Sequence, residues 1–329
     1  MKKLINAIDK VLDESLDGFV AAHADIVAMG EERKLVRRRS LVPGKVQLVS
    51  GGGSGHEPLH AGFVGHGMLD AACPGQVFTS PTPDQMAAAV SAIDQRKGTL
   101  FIVKNYEGDV MNFEMAAEIG GADIATVLVD DDVAVEKSTY STGRRGVAGT
   151  VIVEKMVGAA AEAGADLAAL QALGQRVNAR TRSMGVALTS CTVPAAGKPT
   201  FALADDEMEM GVGIHGEPGR RRVKLASADA IAAEMVNAIV GDLGPKRGEE
   251  IILLVNGFGG TPLMELYLMF NSARWLLADK GLNVARSLVG SYVTSLDMAG
   301  CSITVSTLDD QARKLWDAPV HTAALRWGM

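Results

Sequence analysis

The feature that most constrains the fold is a repeated order of short apolar segment, glycine-rich or polar loop, and helical segment. KVQLVS at 45–50 precedes GGGSGHEP, and TLFIVKN at 99–105 precedes YEGD and the helical pattern VMNFEMAAEIG. IATVLVDDD at 124–132 is a third apolar segment, which ends in acidic residues. Strands that alternate with helices predict a parallel sheet with helices on both faces. In such a sheet, the loops that follow the strands form the binding crevice.

The second half of the chain repeats this organisation beyond a polar stretch, NARTRSMG, near residue 182. An alanine-rich helical segment over 147–180 comes before that stretch. Strand patterns resume in GVALTSC (185–191), EMEMGVGIHG (207–216), EIILLVNGFGGTP (250–262), LNVARSLVG and CSITVSTL, with a long helix to about 280. A length of 329 residues suits two domains. We predict two α/β domains: 1–182, with a parallel sheet in three layers, and 183–329, with a mixed sheet.

The composition argues against several classes of protein. The net charge is −7, so the basic surface that binds nucleic acid is not expected. Three cysteines, Cys73, Cys191 and Cys301, lie far apart without a CxxC pair. This spacing predicts buried small side chains in a reducing compartment, and neither a zinc site nor a disulfide framework.

The N-terminus resembles a signal peptide only in its first residues, MKK. Acidic residues from Asp9 onward interrupt any apolar core of such a peptide. Apolar residues at helical spacing predict an amphipathic helix instead: Leu4, Ile5, Ile8, Leu12, Leu16 and Phe19. No apolar run approaches the roughly 20 residues of a membrane span. We therefore expect a soluble, cytoplasmic protein.

The glycine stretch SGGGSGHEP at 50–58 matches none of the common glycine motifs. A P-loop requires a lysine that is missing here, and G-x-G-x-x-G fails because His56 stands at the third glycine position. G-x-S-x-G around Ser54 also fails at His56. We predict a strand-to-helix turn, leading into a helical LHAGFVGHGML, whose backbone N–H groups hold a small ligand. A plain tight turn is the alternative.

Lys104 and Asp109 flank the loop that follows the second apolar segment. Asp109 stands at the start of the predicted helix, where aspartate is a preferred N-cap. Alternatively, an aspartate beside a lysine provides a proton acceptor next to a cation. That pair suits a hydroxyl group that loses its proton while it attacks phosphorus.

The stretch GVGIHGEPG at 211–219 places His215 among four glycines. The glycines permit close approach of another molecule, so His215 is either an ordinary packed residue or a reactive one. His56 and His60 are four residues apart, but without a third candidate ligand we predict no metal site.

Charge clusters leave two interpretations open. The acids Asp130–Asp132 form either a solvated turn or a magnesium site. The arginine clusters are solvated faces or a docking surface for a phosphate-bearing partner: Arg37–Arg39, Arg144–Arg145 and Arg220–Arg222.

Together these loops resemble the dihydroxyacetone kinases, specifically their substrate-binding K subunit. The resemblance runs from residue 1 to residue 329. Its motifs are SGGGSGHEP, CPGQVFTSPTPDQ, VKNYEGDVMNFEMA, VDDDVAV, GRRGVAGTV, CTVPAAGKP, EMEMGVGIHGEPG, TSLDMAG and LWDAPVHT. It implies two α/β domains and a homodimer.

The resemblance also implies a covalent site. Dihydroxyacetone would bind as a hemiaminal on His215, with Asp109 as general base and His56 as an electrostatic helper. The implied substrate-binding positions are Gly53, Ser54, Gly55, His56, Lys104, Asp109 and His215. Because a neutral imidazole adds to a carbonyl, the pKa of His215 should lie at or below neutral.

The resemblance finally implies partner subunits. No nucleotide motif is found in the sequence, so ADP or ATP with Mg²⁺ is expected on a separate L subunit, recharged by a phosphohistidine M subunit. The chain alone should bind dihydroxyacetone and phosphorylate nothing. Three alternatives stay open: a kinase subunit for another short ketose such as erythrulose, a non-catalytic regulatory subunit that senses dihydroxyacetone, and a lipid carrier.

Overall fold

The computed structural model describes residues 2–94, 96–121, 123–134, 143–217 and 219–329. Strands are numbered in chain order: β1 Val27–Met29, β2 Val36–Arg38, β3 Gln47–Ser54, β4 Gly65–His66, β5 Ala71–Val77, β6 Thr99–Lys104, β7 Ile124–Val129, β8 Thr181–Ala187, β9 Glu207–Met210, β10 Arg221–Lys224, β11 Glu250–Gly257, β12 Asn283–Gly290, β13 Gly300–Leu308, β14 Val320–Thr322 and β15 Arg326–Trp327. The α-helices are α1 Val11–Ala22, α2 Pro83–Ile93, α3 Glu107–Gly120, α4 Gly149–Glu162, α5 Leu167–Ala179, α6 Ala228–Leu243, α7 Leu263–Asp279 and α8 Asp310–Asp317.

The first sheet has the strand order β1-β2-β5-β3-β6-β7. Its last four strands are parallel, as predicted, and β1 and β2 add an antiparallel edge that the sequence pattern did not indicate. Alternate residues of the central strands face opposite helix layers. Val49 and Phe101 pack in one core with α2 and α3, whereas Leu48 and Leu100 pack in another with α4 and α5. This is the predicted three-layer arrangement.

The second sheet has the strand order β10-β9-β8-β13-β11-β12. Only β11 and β12 pair in parallel, and the other pairs are antiparallel, so the predicted mixed sheet is confirmed. Helices α6 and α7 cover one face of this sheet. The opposite face, through Ile252 and Leu254, belongs to the same hydrophobic core as α4. The two sheets therefore pack against a common hydrophobic core, and loops from both sheets meet at one site.

The C-terminal segment returns to the first half of the chain. β14 pairs with both β15 and β4, so His321 lies opposite His66. In the second sheet, β8 lies between β9 and β13 and begins at Thr181. The domain boundary near 182 stays a prediction.

Three predicted helical segments differ from the structure. The segment 59–69 has only a 3₁₀ turn at Ala61–Phe63 and then β4, because Gly65 and Gly67 adopt positive φ angles that a helix excludes. Leu4 is fully exposed, and the N-terminal helix begins later, with a 3₁₀ turn at Ile8–Lys10 that leads into α1. The alanine-rich stretch divides into α4 and α5 around Gly164, which has φ +86.

Two further expectations concern burial and membrane spans. The three cysteines are free and buried, as predicted. None of the helices in the described ranges is both long and apolar enough to cross a membrane.

Candidate functional site

A cavity of about 720 Å³ lies where loops of both sheets meet. Its lining comprises Gly53, Phe78, Thr79, Ser80, Tyr106, Glu107, Gly108, Asp109, Asn112, Thr200, His215, Gly216 and Glu217. The volume is typical of small-molecule sites. Three of the predicted site residues, Gly53, Asp109 and His215, therefore line one cavity although they are far apart in the sequence.

The glycine run forms part of a buried strand and not a turn. Gly51–Gly53 lie inside β3 and pair with β5, and the next helical element is the 3₁₀ turn Ala61–Phe63, not an α-helix. A Cβ on Gly53 would lie 2.6 Å from the Thr79 backbone nitrogen. The glycine thus permits β3 to lie directly against the backbone that forms the cavity wall. The prediction of a strand-to-helix turn was wrong, because the run continues β3 and pairs with β5 along its length, whereas the pairing with β6 ends at Ser50.

Ser54 and Gly55, two predicted substrate contacts, have partners within the protein. The Ser54 hydroxyl donates to the Gly75 carbonyl at 2.7 Å, inside the sheet. The Gly55 N–H donates to the Glu57 carboxylate at 3.0 Å, and Gly55 has φ +103. Neither residue lines the cavity.

His56 has a fixed tautomer with one unpartnered nitrogen. Its Nδ1 lies 2.7 Å from the Thr294 carbonyl oxygen, and because a carbonyl only accepts, Nδ1 carries the proton. Nε2 is buried, with no hydrogen-bond partner in the described part of the chain. Burial, together with His215 and Lys104 nearby, holds the pKa of His56 well below its usual value. The neutral ring therefore offers a lone pair.

Lys104 and Asp109 are in direct contact, as the sequence predicted. The Lys104 ammonium donates to Asp109 Oδ2 at 3.3 Å and is fully buried at the end of β6. Asp109 is the third residue of α3, and Tyr106 occupies the N-cap position, so the N-cap interpretation of Asp109 was wrong. Asp109 Oδ1 has no partner among the described residues. Because Asp109 lines the cavity, this oxygen is suited to accept a proton from a bound hydroxyl.

His60 connects Lys104 to the protein interior. His60 Nε2 lies 3.1 Å from Lys104 Nζ, and His60 Nδ1 lies 2.7 Å from Glu154 Oε1. The turn that follows β3 is not helical, so His56 and His60 do not share a helix face. Metal binding was not expected here, and the described residues contain no cluster of three or more His, Cys, Asp or Glu that could hold a metal ion.

His215 lies against three aromatic rings in the loop between β9 and β10. Its ring contacts Tyr106, His56 and Phe78, with centroid separations of 4.4, 4.7 and 5.5 Å. The side chain retains 18% exposure. Burial, reinforced by the positive charges of Lys104 and Arg145, lowers the pKa of His215 to about 3. The imidazole is therefore neutral at physiological pH, as the covalent chemistry requires.

A buried ion-pair cluster holds the His215 loop. Glu217 Oε2 accepts the His215 backbone N–H at 2.9 Å, and Oε1 accepts from Arg145 Nη1 at 3.2 Å. Arg145 also donates to Asp132 and to the Gly211 carbonyl. A Cβ on Gly213 would lie 1.8 Å from Glu217 Oε1. One function of the glycines around His215 is thus to admit this carboxylate.

The cluster overturns two predictions about charged segments. Asp131 and Asp132 are buried, and neither lies in a solvated turn. Asp131 accepts from the backbone N–H groups of Val147 and Gly149, and from the Ser183 hydroxyl. Arg145 is buried too, whereas Arg144 pairs with Asp242 nearer the surface. Val135, which belongs to the VDDDVAV motif, and Pro218, which belongs to GIHGEPG, lie outside the described residues.

Three of the six arginines in the other two clusters form ion pairs. Arg38 is buried and contacts Asp70 and Glu162. Arg221 pairs with Glu234, and Arg222 pairs with Glu209. A docking role for the surface arginines stays a prediction.

Several site residues were not identified from the sequence. Phe78 stacks on His56 at 5.0 Å and has φ +55, and Tyr106 has a buried hydroxyl without a partner in the described ranges. For Glu217 the sequence held one indication of a role in the site, its place in the HGEP motif. For Glu154 it held no such indication, because this residue lies in the middle of an alanine-rich helix.

Comparisons with known proteins find relatives along nearly the whole chain. A family model described as Dak1 domain matches residues 17–324. The PTS-dependent dihydroxyacetone kinase 1, dihydroxyacetone-binding subunit DhaK, of Listeria innocua is 53% identical over 94% of this chain and 95% of its own. The PEP-dependent dihydroxyacetone kinase, dihydroxyacetone-binding subunit DhaK, of Escherichia coli is 48% identical, with both chains covered completely. The D-erythrulose kinase of Mycolicibacterium smegmatis is 40% identical over all of this chain and 57% of its own.

Two solved structures share the fold. The dihydroxyacetone kinase of C. freundii superimposes with a TM-score of 0.90 at 33% identity, covering 99% of this chain and 60% of that one. A dihydroxyacetone kinase operon co-activator, Dha-DhaQ, gives a TM-score of 0.88 at 35% identity, covering 94% of this chain and 96% of that one.

Proposed function

This chain belongs to the Dak1 domain family, and on that premise we propose that it is the dihydroxyacetone-binding subunit of a phosphotransferase-system-dependent dihydroxyacetone kinase. Two relatives with this role in their names align with nearly the whole of this chain and of their own. The substrate is dihydroxyacetone, and the product is dihydroxyacetone phosphate. The subunit acts in the cytoplasm as a homodimer.

The observation that carries the proposal is the neutral His215 on the wall of the cavity. Its low pKa leaves a nitrogen lone pair free to add to a ketone carbon. In the proposed reaction the N–C bond forms and the carbonyl π pair moves to oxygen. The other ring nitrogen of His215 then releases its proton and the oxygen gains one, which gives the neutral hemiaminal. Glycerol has no carbonyl group and is therefore not captured. His56 Nε2, an acceptor beside His215, receives a hydrogen bond from a substrate hydroxyl.

Asp109 provides the second half of the chemistry. Its unpartnered Oδ1 accepts the proton of the terminal hydroxyl as that oxygen attacks phosphorus. Lys104 supplies the positive charge that pairs with the buried Asp109 carboxylate. A cavity of about 720 Å³ has room for both a molecule of six heavy atoms and an incoming phosphoryl group.

The phosphoryl group comes from ATP, held with Mg²⁺ on a separate L subunit, and a phosphohistidine M subunit recharges the ADP that remains there. Within the described residues the glycine run does not supply a phosphate-binding loop, because Gly51–Gly53 belong to β3 and pair with β5. The chain alone is therefore expected to bind the sugar and to transfer no phosphate.

Two other functions have specific support. The D-erythrulose kinase match favours a four-carbon ketose, which the same histidine would capture. The co-activator match favours a sensing subunit that does not phosphorylate. Asp109 and Lys104 in contact favour the kinase, since a sensor needs no base. The polar lining favours a sugar over an acyl chain.

The experiment is native mass spectrometry of the purified chain with dihydroxyacetone, erythrulose or glycerol. We expect a ketose-specific mass increase that is absent with glycerol and absent in His215→Ala. His321→Ala, which changes a histidine away from the cavity, is the matched control and should retain the adduct. No adduct with either ketose would contradict covalent capture.

A second arm separates the kinase from the sensor. With an L subunit, an M subunit and phosphoenolpyruvate-derived phosphate added, the wild type should form dihydroxyacetone phosphate. Asp109→Asn should keep the adduct and lose phosphoryl transfer by about 10²-fold or more. An adduct without turnover in the wild type would favour the sensor.

A further inference from the structure

A line of four buried side chains leads away from the cavity into the protein. Lys104 Nζ is 3.3 Å from Asp109 Oδ2 and 3.1 Å from His60 Nε2. His60 Nδ1 is 2.7 Å from Glu154 Oε1. All four residues are less than a tenth exposed. One end of the line is the proposed base, and the other is a carboxyl group on α4 that the proposed reaction does not use.

The hydrogen-bonding capacity of Lys104 fixes the direction of each bond. An ammonium has three donors and no acceptor, and Lys104 has three acceptors around it: Asp109 Oδ2, His60 Nε2 and the Gly51 carbonyl at 3.3 Å. His60 Nε2 therefore accepts, and the ring proton of His60 is on Nδ1. That N–H donates to Glu154 Oε1 at 2.7 Å and also lies 3.0 Å from Ser50 Oγ, whose own proton goes to the Ile102 carbonyl. The four groups thus form a continuous donor–acceptor path.

The groups along the line carry charges that allow one additional proton to be bound. Two carboxyl groups, Asp109 and Glu154, share one cation, Lys104. The charged or titratable groups that act on His60 and Glu154 are Lys104 and His56. Glu154 Oε2 is buried, without a hydrogen-bond partner in the described part of the chain. Burial raises the pKa of Glu154 well above its usual value, so a proton is held more favourably there than on an exposed carboxylate.

We propose that this line carries the proton released during phosphoryl transfer from Asp109 to Glu154. The inference rests on the proposed function, in which Asp109 takes the proton of the substrate hydroxyl. Lys104 then gives one N–H proton to His60 Nε2 and takes the proton from Asp109, after the carboxyl group rotates. His60 gives its Nδ1 proton to Glu154 Oε1. Asp109 and Lys104 are charged again, His60 is neutral, Glu154 is neutral, and no further reactant is used.

The transfer has a consequence for the reaction. With its proton moved inward, Asp109 is no longer an acid that can protonate the new phosphate ester, so the reverse reaction loses its proton donor. The reverse steps along the line return the proton to Asp109 and the open cavity once the product has left. His60 and Glu154 act through Lys104 and Asp109, and are positioning residues.

The test is Glu154→Gln in the complex reconstituted with L and M subunits. A glutamine retains an oxygen that accepts from His60 but cannot take a proton. Glu162→Gln is the matched control, since Glu162 also lies on α4 and pairs with Arg38 and Lys45 instead. The readouts are the single-turnover rate of dihydroxyacetone phosphorylation between pH 5.5 and 8.5 and the adduct mass.

We expect Glu154→Gln to lower the single-turnover rate by about tenfold or more and to leave the adduct unchanged. Glu154 must be ionised to take the proton, so the wild-type rate should fall as pH falls through the raised pKa of Glu154. That acid limb should be present in the wild type and in Glu162→Gln, and absent in Glu154→Gln.

Two results would overturn the relay alone: turnover of Glu154→Gln at the wild-type rate with the wild-type pH profile, or loss of its adduct together with its turnover. The second result would mean that Glu154 only maintains the shape of the site. A wild-type complex that forms no dihydroxyacetone phosphate would instead overturn the proposed function, and the relay with it.

Discussion

Two buried cations serve the site, and they connect different parts of the molecule. Lys104 contacts Asp109 and His60, both in the first half of the chain, and the line ends at Glu154 in the same half. Arg145 instead joins Asp132, which follows the first sheet, to Glu217 and Gly211 in the second half. Arg145 contacts two carboxyl groups directly, whereas Lys104 contacts one, and of these two cations only Arg145 connects the two halves.

The difference suggests that the two cations support different parts of the proposed function. The Lys104 side presents Asp109 Oδ1 toward the cavity without a hydrogen-bond partner among the described residues. The hydrogen bonds of Arg145 toward the second half of the chain end on the Gly211 carbonyl and on Glu217, which in turn accepts the His215 backbone N–H. We therefore expect changes near Lys104 to affect phosphoryl transfer, and changes near Arg145 to affect stability and covalent capture together.

The largest expected effect comes from Arg145→Met. This change leaves Asp132 and Glu217 buried without their cation, and removing one partner of a buried pair costs about 3–5 kcal/mol of unfolding free energy. Urea unfolding measures the loss, and the dihydroxyacetone adduct should disappear because Glu217 no longer holds the His215 loop.

The neighbouring residue supplies the control for that change. Arg144 pairs with Asp242 while partly exposed, so Arg144→Met should cost about 1 kcal/mol or less and retain the adduct. Equal losses of unfolding free energy in the two variants would show that the buried ion pairs of Arg145, which connect the two halves, stabilise the protein no more than an ordinary surface pair.

A second, smaller effect tests the environment that lowers the pKa of His215, which is first its burial and then the positive charges of Lys104 and Arg145. Its pKa is about 3 in the folded protein and 6.5 in the unfolded chain, so the unfolded chain binds the extra proton between these values. Stability from this group is fully present above pH 6.5 and is lost as pH falls below it. From pH 6.5 to pH 5, His215 alone should remove about 1.5 kcal/mol.

His215→Asn isolates this contribution. The variant keeps His56 and His60, whose lowered pKa values also make the protein less stable as pH falls. It also keeps Asp131, whose raised pKa of about 6 changes stability in the opposite direction. The wild type should therefore lose more stability than His215→Asn over the same pH range. Parallel pH curves would show that His215 is not held neutral by folding.

The sequence predicted the elements better than it predicted their burial. Strands β6 and β11 and helix α7 follow their hydrophobic patterns closely, because regular periodicity depends on local residues. The helix predicted over 59–69 failed since positive φ angles at Gly65 and Gly67 cannot be seen in an apolar pattern. The acidic run Asp130–Asp132 was assigned to a solvated turn because its partners, Arg145 and Ser183, come from distant parts of the chain.

The same distinction applies to the site. The motifs around His56, Lys104, Asp109 and His215 were recognisable, and the structure brings all four together. Their roles stay predictions. Glu154 and Phe78 were not recognisable, since nothing in an alanine-rich helix or in a polar loop marks a residue that packs behind a reactive one.

The variant with the smallest expected effect tests which atoms of β3 contact the bound ketose. Ser54 was predicted as a contact, but its hydroxyl donates to the Gly75 carbonyl within the sheet. Ser54→Ala should therefore cost about 1 kcal/mol of unfolding free energy and leave the adduct yield unchanged. Gly53→Ala is the contrast, because its Cβ would lie 2.6 Å from the Thr79 nitrogen, which cannot move aside as a side chain can. The Gly53 variant should lose adduct, and a comparable loss in Ser54→Ala would place the serine hydroxyl in the site after all.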